Sequence, residues 1–137
     1  MRTKDLVCSV EYSLKLRDLG VIAPTVFRWL NEYDTDPDLN YDFYQVSPLG
    51  VPAFTFVELW SLLPKSIMCR YTSRCAGQVT AHTSEFYLRA DSELRPVYEF
   101  GEDLVFPEYD LIENPANACA KMLIHLIEKH GIEVPQL

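Results

Sequence analysis

At 137 residues and 15.8 kDa the chain has the length of a single domain, which argues against a two-domain enzyme with its own cofactor module. Apolar residues at 48% and aromatics at 12% exclude a disordered acidic tail, and a chain of this size fills a core without metal or disulfide staples. The formal charge of −8, from 12 bases and 20 acids, counts against binding driven by phosphate neutralisation, whether to nucleic acid or to an anionic membrane.

The first helix is predicted from about Ser9 to Leu19, with Ser9 as N-cap, Glu11 in the first turn and Gly20 as the left-handed stop. Its apolar residues fall in two stripes, Val10 with Leu14 and Tyr12 with Leu16 and Leu19. Cys8 directly precedes this helix, where the dipole could lower a thiol pKa, although packing at N′ is the simpler role.

Beyond Pro24, TVFRWL reads as a strand and YDFYQV as its partner, with Pro48, Gly50 and Pro52 ending the second run. A base-free acidic stretch, Glu32, Asp34, Asp36, Asp38 and Asp42, follows the first run and reaches into the second, so a hairpin with a long acidic tip is expected. Next comes the best-marked helix, Phe56 to Leu63. Thr55 and Glu58 form a capping box there, Phe54 and Leu59 a hydrophobic staple, and Pro64 the stop.

From Lys65 to about Phe106 the pattern changes to short alternating runs, SIMCRY, QVTAH, EFYLRA and PVYEF. Gly77, the Asp91 to Glu93 cluster and Gly101 separate them, which predicts an antiparallel meander. A last helix opens with Asn114 as N-cap and Pro115 at N1, and closes with Lys129, His130 and Gly131 at C′. Cys119, Met122, Leu123, Leu126 and Ile127 make its packing face, with Lys121, His125 and Glu128 opposite. The expected fold is therefore α+β, one domain over residues 1–137, with an antiparallel sheet of short strands and three main helices covering one or both of its faces.

Chemical signatures are few. Cys69, Cys75 and His82 offer zinc-type ligands, but five residues between the cysteines is not a common knuckle, and a packed thiol at Cys69 beside Ile67 and Tyr71 is the simpler reading. His125 and His130, five positions apart, turn roughly 140° away from each other on a helix. No Gly-x-Ser-x-Gly elbow exists, five unclustered glycines build no phosphate cradle, and the paired acids Glu102 with Asp103 and Glu108 with Asp110 read as solvated loop charge. No catalytic residue, cofactor or metal is assigned. The start MRTKDLVCSVEY lacks a secretory h-region, and no apolar run approaches a membrane span, so a soluble cytoplasmic protein is expected.

Three segments, DLVCSVEYSLKLRDLGV with VFRW, AFTFVELWSLLP, and NPANACAKMLIHLIEKHGI, together resemble a family of small, uncharacterised bacterial and phage or prophage proteins. The resemblance covers about a third of the chain. Leu14 and Ser13 depart from it, where a charged residue and an alanine are usual, and it implies context rather than activity.

Aromatics beside acids at the hairpin tip suit a protein partner, because tyrosines supply interface energy and carboxylates steer an oppositely charged surface. The expected function is a non-enzymatic interaction module, binding a protein partner or itself through an acidic surface that includes Tyr33, Asp34, Asp36, Asp38, Tyr41, Phe43 and Tyr44. The competing class is a metal-binding or thiol-dependent enzyme using Cys69, Cys75 and His82. A third reading, acidic mimicry of nucleic acid, requires the nine acids of residues 85–113 to form one continuous face.

Overall fold

The structure is a computed structural model that describes residues 6–31, 41–45, 50–110 and 113–137, with residues 31 and 41–45 known by their strand pairing. Among the described residues three helices, α1 (Val10–Asp18), α2 (Phe56–Leu62) and α3 (Pro115–Lys129), combine with seven antiparallel strands in the expected α+β class. The chain groups into two compact units, Met1–Leu63 with Pro107–Leu137, and Pro64–Phe106.

In the first unit, β1 (Phe27–Asn31) pairs with β2 (Tyr41–Gln45) in the register Phe27 to Gln45 through Asn31 to Tyr41, the predicted hairpin. The other side of β1 takes a strand the sequence reading missed, β3 (Val51–Pro52), with Arg28 opposite Pro52. Pro52 was read as a terminator, but at the edge of a sheet in the order β2-β1-β3 its missing N–H is no obstacle. So the strands form two sheets rather than one.

Each helix begins and ends where its local chemistry dictates. Ser9 Oγ accepts from the Tyr12 N–H, Thr55 and Glu58 satisfy each other's backbone donors reciprocally, and Asn114 Oδ1 accepts from the Asn117 N–H. At the end of α1 the Gly20 N–H returns to the Arg17 carbonyl and the Val21 N–H to that of Leu16, a Schellman closure whose Leu16 and Val21 side chains are both buried. α2 stops at Leu62 because Leu63, ahead of Pro64, is held extended.

Packing joins these elements around α3, which meets both α1 and α2. Cys119, Met122, Leu123 and Leu126 are fully buried as the periodicity predicts, and Ala116, Ala118, Ala120 and Ile124 are buried too. Two helical neighbours thus cover more of α3 than one apolar stripe. Burial of each large side chain stabilises by about 2 kcal/mol. A second cluster forms from Val7, Trp29, Val51 and Ala53 with Val10, Leu14 and Phe27 against it, and Trp29 Nε1 donates to the Cys8 carbonyl at 3.2 Å. On α1 the deepest residues are Leu16, from the expected Tyr12, Leu16 and Leu19 stripe, and Ser13, which belongs to neither stripe. Ser13 tolerates full burial because its hydroxyl lies 3.2 Å from Cys8 Sγ.

The second unit is a meander in the order β4-β5-β6-β7: β4 (Ser66–Cys75), β5 (Gln78–Ala90), β6 (Pro96–Phe100) and β7 (Asp103–Val105). QVTAH and EFYLRA, expected as separate strands, are one, because Thr83 and Ser84 between them carry no turn signal and pair with Arg70 and Cys69. Ala76 and Gly77, both at positive φ, close the β4–β5 hairpin in two residues. Asp91 accepts the N–H groups of Glu93 and Arg95 to make the β5–β6 turn. Phe86 and Tyr98 centre this unit's core, and the Tyr98 hydroxyl donates to the Pro64 carbonyl at 2.6 Å. Among the described residues no helix is long and apolar enough to cross a membrane.

Candidate functional site

Strand alternation divides the four-stranded sheet into two faces. One carries Ile67, Cys69, Tyr71 and Ser73 from β4 against Phe86, Ser84, His82 and Thr80 from β5, with Tyr98 and Phe100 from β6. Its aromatics pack together: Tyr71 lies 5.2 Å from both His82 and Phe100, and Phe86 5.6 Å from Phe100, centroid to centroid. This face holds most of the buried core of the unit, with Val97 the buried residue on the other.

On the opposite face lie Met68, Arg70, Thr72 and Arg74 from β4, Tyr87, Glu85, Thr83, Ala81 and Val79 from β5, then Glu99 and Leu104. Register places Tyr87, Glu99 and Leu104 in one row across three strands, with Met68 diagonal to Tyr87. Met68 is 62% exposed, Tyr87 59% and Leu104 44%, so three large apolar side chains face water from one sheet surface. Arg89 and Glu99 form an ion pair beside them. Exposed apolar side chains interleaved with charge, here Glu99 between Tyr87 and Leu104, are a composition that protein-binding surfaces use.

Beyond this row the β4–β5 hairpin continues as a two-stranded arm, because β6 pairs only with Tyr87–Ala90 of β5. From Thr72 to Thr83 no residue is buried. The segment 65–84 contains Lys65, Arg70 and Arg74 and no acid, whereas the rest of the chain holds nine of the 12 bases and all 20 acids. Arg70 and Arg74 are exposed, and neither has a carboxylate partner among the described residues. Sequence reasoning overlooked this basic island. Its signal is the twenty acid-free residues inside a strongly acidic chain, a contrast that net charge averages away.

The residues nominated from sequence are placed as follows. Tyr33, Asp34, Asp36 and Asp38 lie outside the described residues. Tyr41, Phe43 and Tyr44 are on β2, opposite Asn31, Trp29 and Arg28. Cys69 is buried, Cys75 is exposed at the tip of the arm and His82 pairs across from Tyr71. The two thiols are six strand positions apart, roughly 20 Å of rise, so the three groups do not meet at one point. Burial pushes the Cys8 and Cys69 thiols up and Cys119 to about 12, which leaves these three poor nucleophiles. For Cys8, desolvation outweighs any help from the start of α1, and packing is its role.

Ser73 Oγ and His82 Nε2 approach to 2.9 Å, a pair that the hairpin register creates from residues nine apart. It sits in open water on the arm, with no cleft and no carboxylate orienting the ring among the described residues, so it lacks the shielding that activates a serine. His125 and His130 are closer than the helical angle implies, 5.1 Å between ring centroids: the His130 N–H still bonds the Leu126 carbonyl, but as cap residue it takes φ −112 rather than the helical value.

In the first unit a cleft of about 580 Å³ runs between α1 and α3, lined by Glu11, Tyr12, Leu14, Lys15, Asp18, Lys121 and Ile124. Most of its polar groups are paired. Lys121 lies 3.5 Å from Glu113 and 3.9 Å from Asp110, the Tyr12 hydroxyl donates to Glu113, and partial burial with the neighbouring Glu113 charge raises the Tyr12 pKa. Lys15 pairs with Glu128 and Asp18 with Arg17, and Glu11 is the one lining charge without an ion-pair partner among the described residues. The acids of 85–113 likewise do not make the continuous face that mimicry requires: Asp91 and Glu93 bind Arg95, Glu99 binds Arg89, and the Glu113 side chain is buried against Lys121. Comparison with known proteins matches the chain to no family model, no curated protein and no solved structure.

Proposed function

We propose that this chain is a non-enzymatic protein-interaction module of phage or prophage origin that works in the cytoplasm and binds a protein partner rather than nucleic acid. The exposed Met68, Tyr87 and Leu104 on one sheet face, with Glu99 between the last two, carry the reading, since large apolar side chains sharing a sheet surface gain most from burial against a partner. The net charge of −8 supports a protein over a nucleic acid, and would steer a basic partner toward the acidic parts of the chain. The free thiols fit a reducing compartment.

Capture from the source cell with immobilised protein tests this, comparing wild type with Met68→Ser/Tyr87→Ser/Leu104→Ser. All three positions are exposed, so the variant should keep its melting temperature within a few degrees and lose at least about tenfold of the specifically bound protein. Undiminished capture by the variant would remove the observation on which the proposal stands. The enzyme alternative has its own outcome: stoichiometric zinc in purified protein, lost on Cys75→Ser, would replace the interaction reading with a metal site.

A further inference from the structure

The two edges of the four-stranded sheet are unlike. At one edge β7 is three residues long and carries Asp103, the brevity and charge that usually blunt an edge. At the other, β4 runs ten residues with no proline or glycine, and β5 is its only strand neighbour among the described residues. Over Arg70–Cys75 this outer edge is part of the exposed arm, a row of backbone donors and acceptors that another strand can meet. Arg70 and Arg74 stand on one face of it, about 13 Å apart at strand rise, both without carboxylate partners among the described residues.

We propose that the outer edge of β4 at Arg70–Cys75 receives an extended, carboxylate-bearing segment of a partner protein. That segment adds to the sheet as a further strand and sets acids four residues apart against Arg70 and Arg74. This rests on the interaction reading above and names the partner's chemistry. Backbone hydrogen bonds supply affinity that any extended chain could share, and the two guanidiniums supply the selection. The same charges reject a second copy of this chain. In the two-fold antiparallel registers that pair most of β4 with itself, guanidiniums fall directly opposite or diagonal to one another, a like-charge contact that destabilises the pair. A phosphate backbone would meet only a small basic island on a chain of net charge −8.

Fluorescence anisotropy on the whole protein tests the proposal with a labelled ten-residue peptide alternating Thr or Val with Glu. Its Lys counterpart, two copies N-methylated at alternate residues in either phase, and a single-stranded oligonucleotide complete the set. Binding of the Glu peptide is expected, weakened about tenfold or more by Arg70→Glu/Arg74→Glu at unchanged melting temperature. It should be abolished in one N-methylation phase and kept in the other, since only alternate amides of a docked strand face the sheet. No binding of the Glu peptide, equal binding of the Lys peptide, indifference to both N-methylated copies, tighter binding of the oligonucleotide, or a dimer in solution that Arg70→Glu/Arg74→Glu leaves intact would each overturn it. If the native partner is lost with the Met68, Tyr87 and Leu104 substitutions yet ignores Arg70 and Arg74, strand addition fails while the interaction reading stands.

Discussion

His125 is the titratable side chain whose surroundings bear most directly on stability near neutral pH. Partial burial, then the charges of His130 and Lys129, hold its pKa below the ordinary 6.5. The folded protein therefore binds fewer protons than the unfolded chain just below pH 6.5. The sign follows: the contribution is complete above that pH and is lost as pH falls through the depressed value. Denaturant melts of wild type and His125→Gln at about pH 7.5 and about pH 5 should show a smaller loss of stability in the variant. Parallel losses would mean that the imidazole is as well solvated folded as unfolded. Sequence placed His125 on the wetter face of α3, but it could not bring His130 beside it. Helical spacing fixes a side chain's direction only where helical dihedrals hold, and at the cap His130 takes φ −112.

Elements were legible wherever one or two residues decide a local geometry. The capping box of α2, the Asn-Pro start of α3 and the glycine stop of α1 each satisfy backbone groups within a few positions of themselves, so no tertiary knowledge is required. Illegible features depend on partners distant in sequence. β3 is two residues long and exists because β1 offers a free edge, and burial of Ser13 depends on Cys8. Gly50, read only as a turn signal, shows the difference. At φ +93 an added Cβ would collide with the Leu30 side chain and the Trp29 carbonyl oxygen, so the approach of β3 to β1 needs glycine twice over. Gly50→Ala should cost about 2–4 kcal/mol in chemical denaturation. Gly77→Ala, at φ +79 with nothing within reach, should cost only the backbone strain of about 1–2 kcal/mol. Equal costs would show that the β3 approach is looser than drawn.

At the scale of the molecule, apolar burial and charge are partitioned along β5 itself. Phe86 is buried, Tyr87 has strand neighbours on both sides, and Leu88 pairs with Tyr98 and donates its N–H to the Lys65 carbonyl, whereas Val79–Thr83 have one neighbour and water on both faces. A two-stranded ribbon without a covered face is marginal in water, since its hydrogen bonds compete with solvent and no apolar area offsets the ordering of its backbone. Local opening should then be far easier at the arm than at the sheet. Amide hydrogen exchange resolved along this one strand should therefore be slowest at Phe86–Leu88 and at least about a hundredfold faster at Val79–His82. The candidate interface is part of this gradient. A surface kept clear of the core can be altered without unfolding the protein, but it stays under-protected until a partner completes it, and adding the Glu peptide should slow exchange on the β4 side of the arm first. Uniform slow exchange from Gln78 to Leu88 in the isolated protein would mean that the arm is already covered in solution. The exposed face and the open edge would then describe an assembly of copies of this chain rather than a site waiting for another protein.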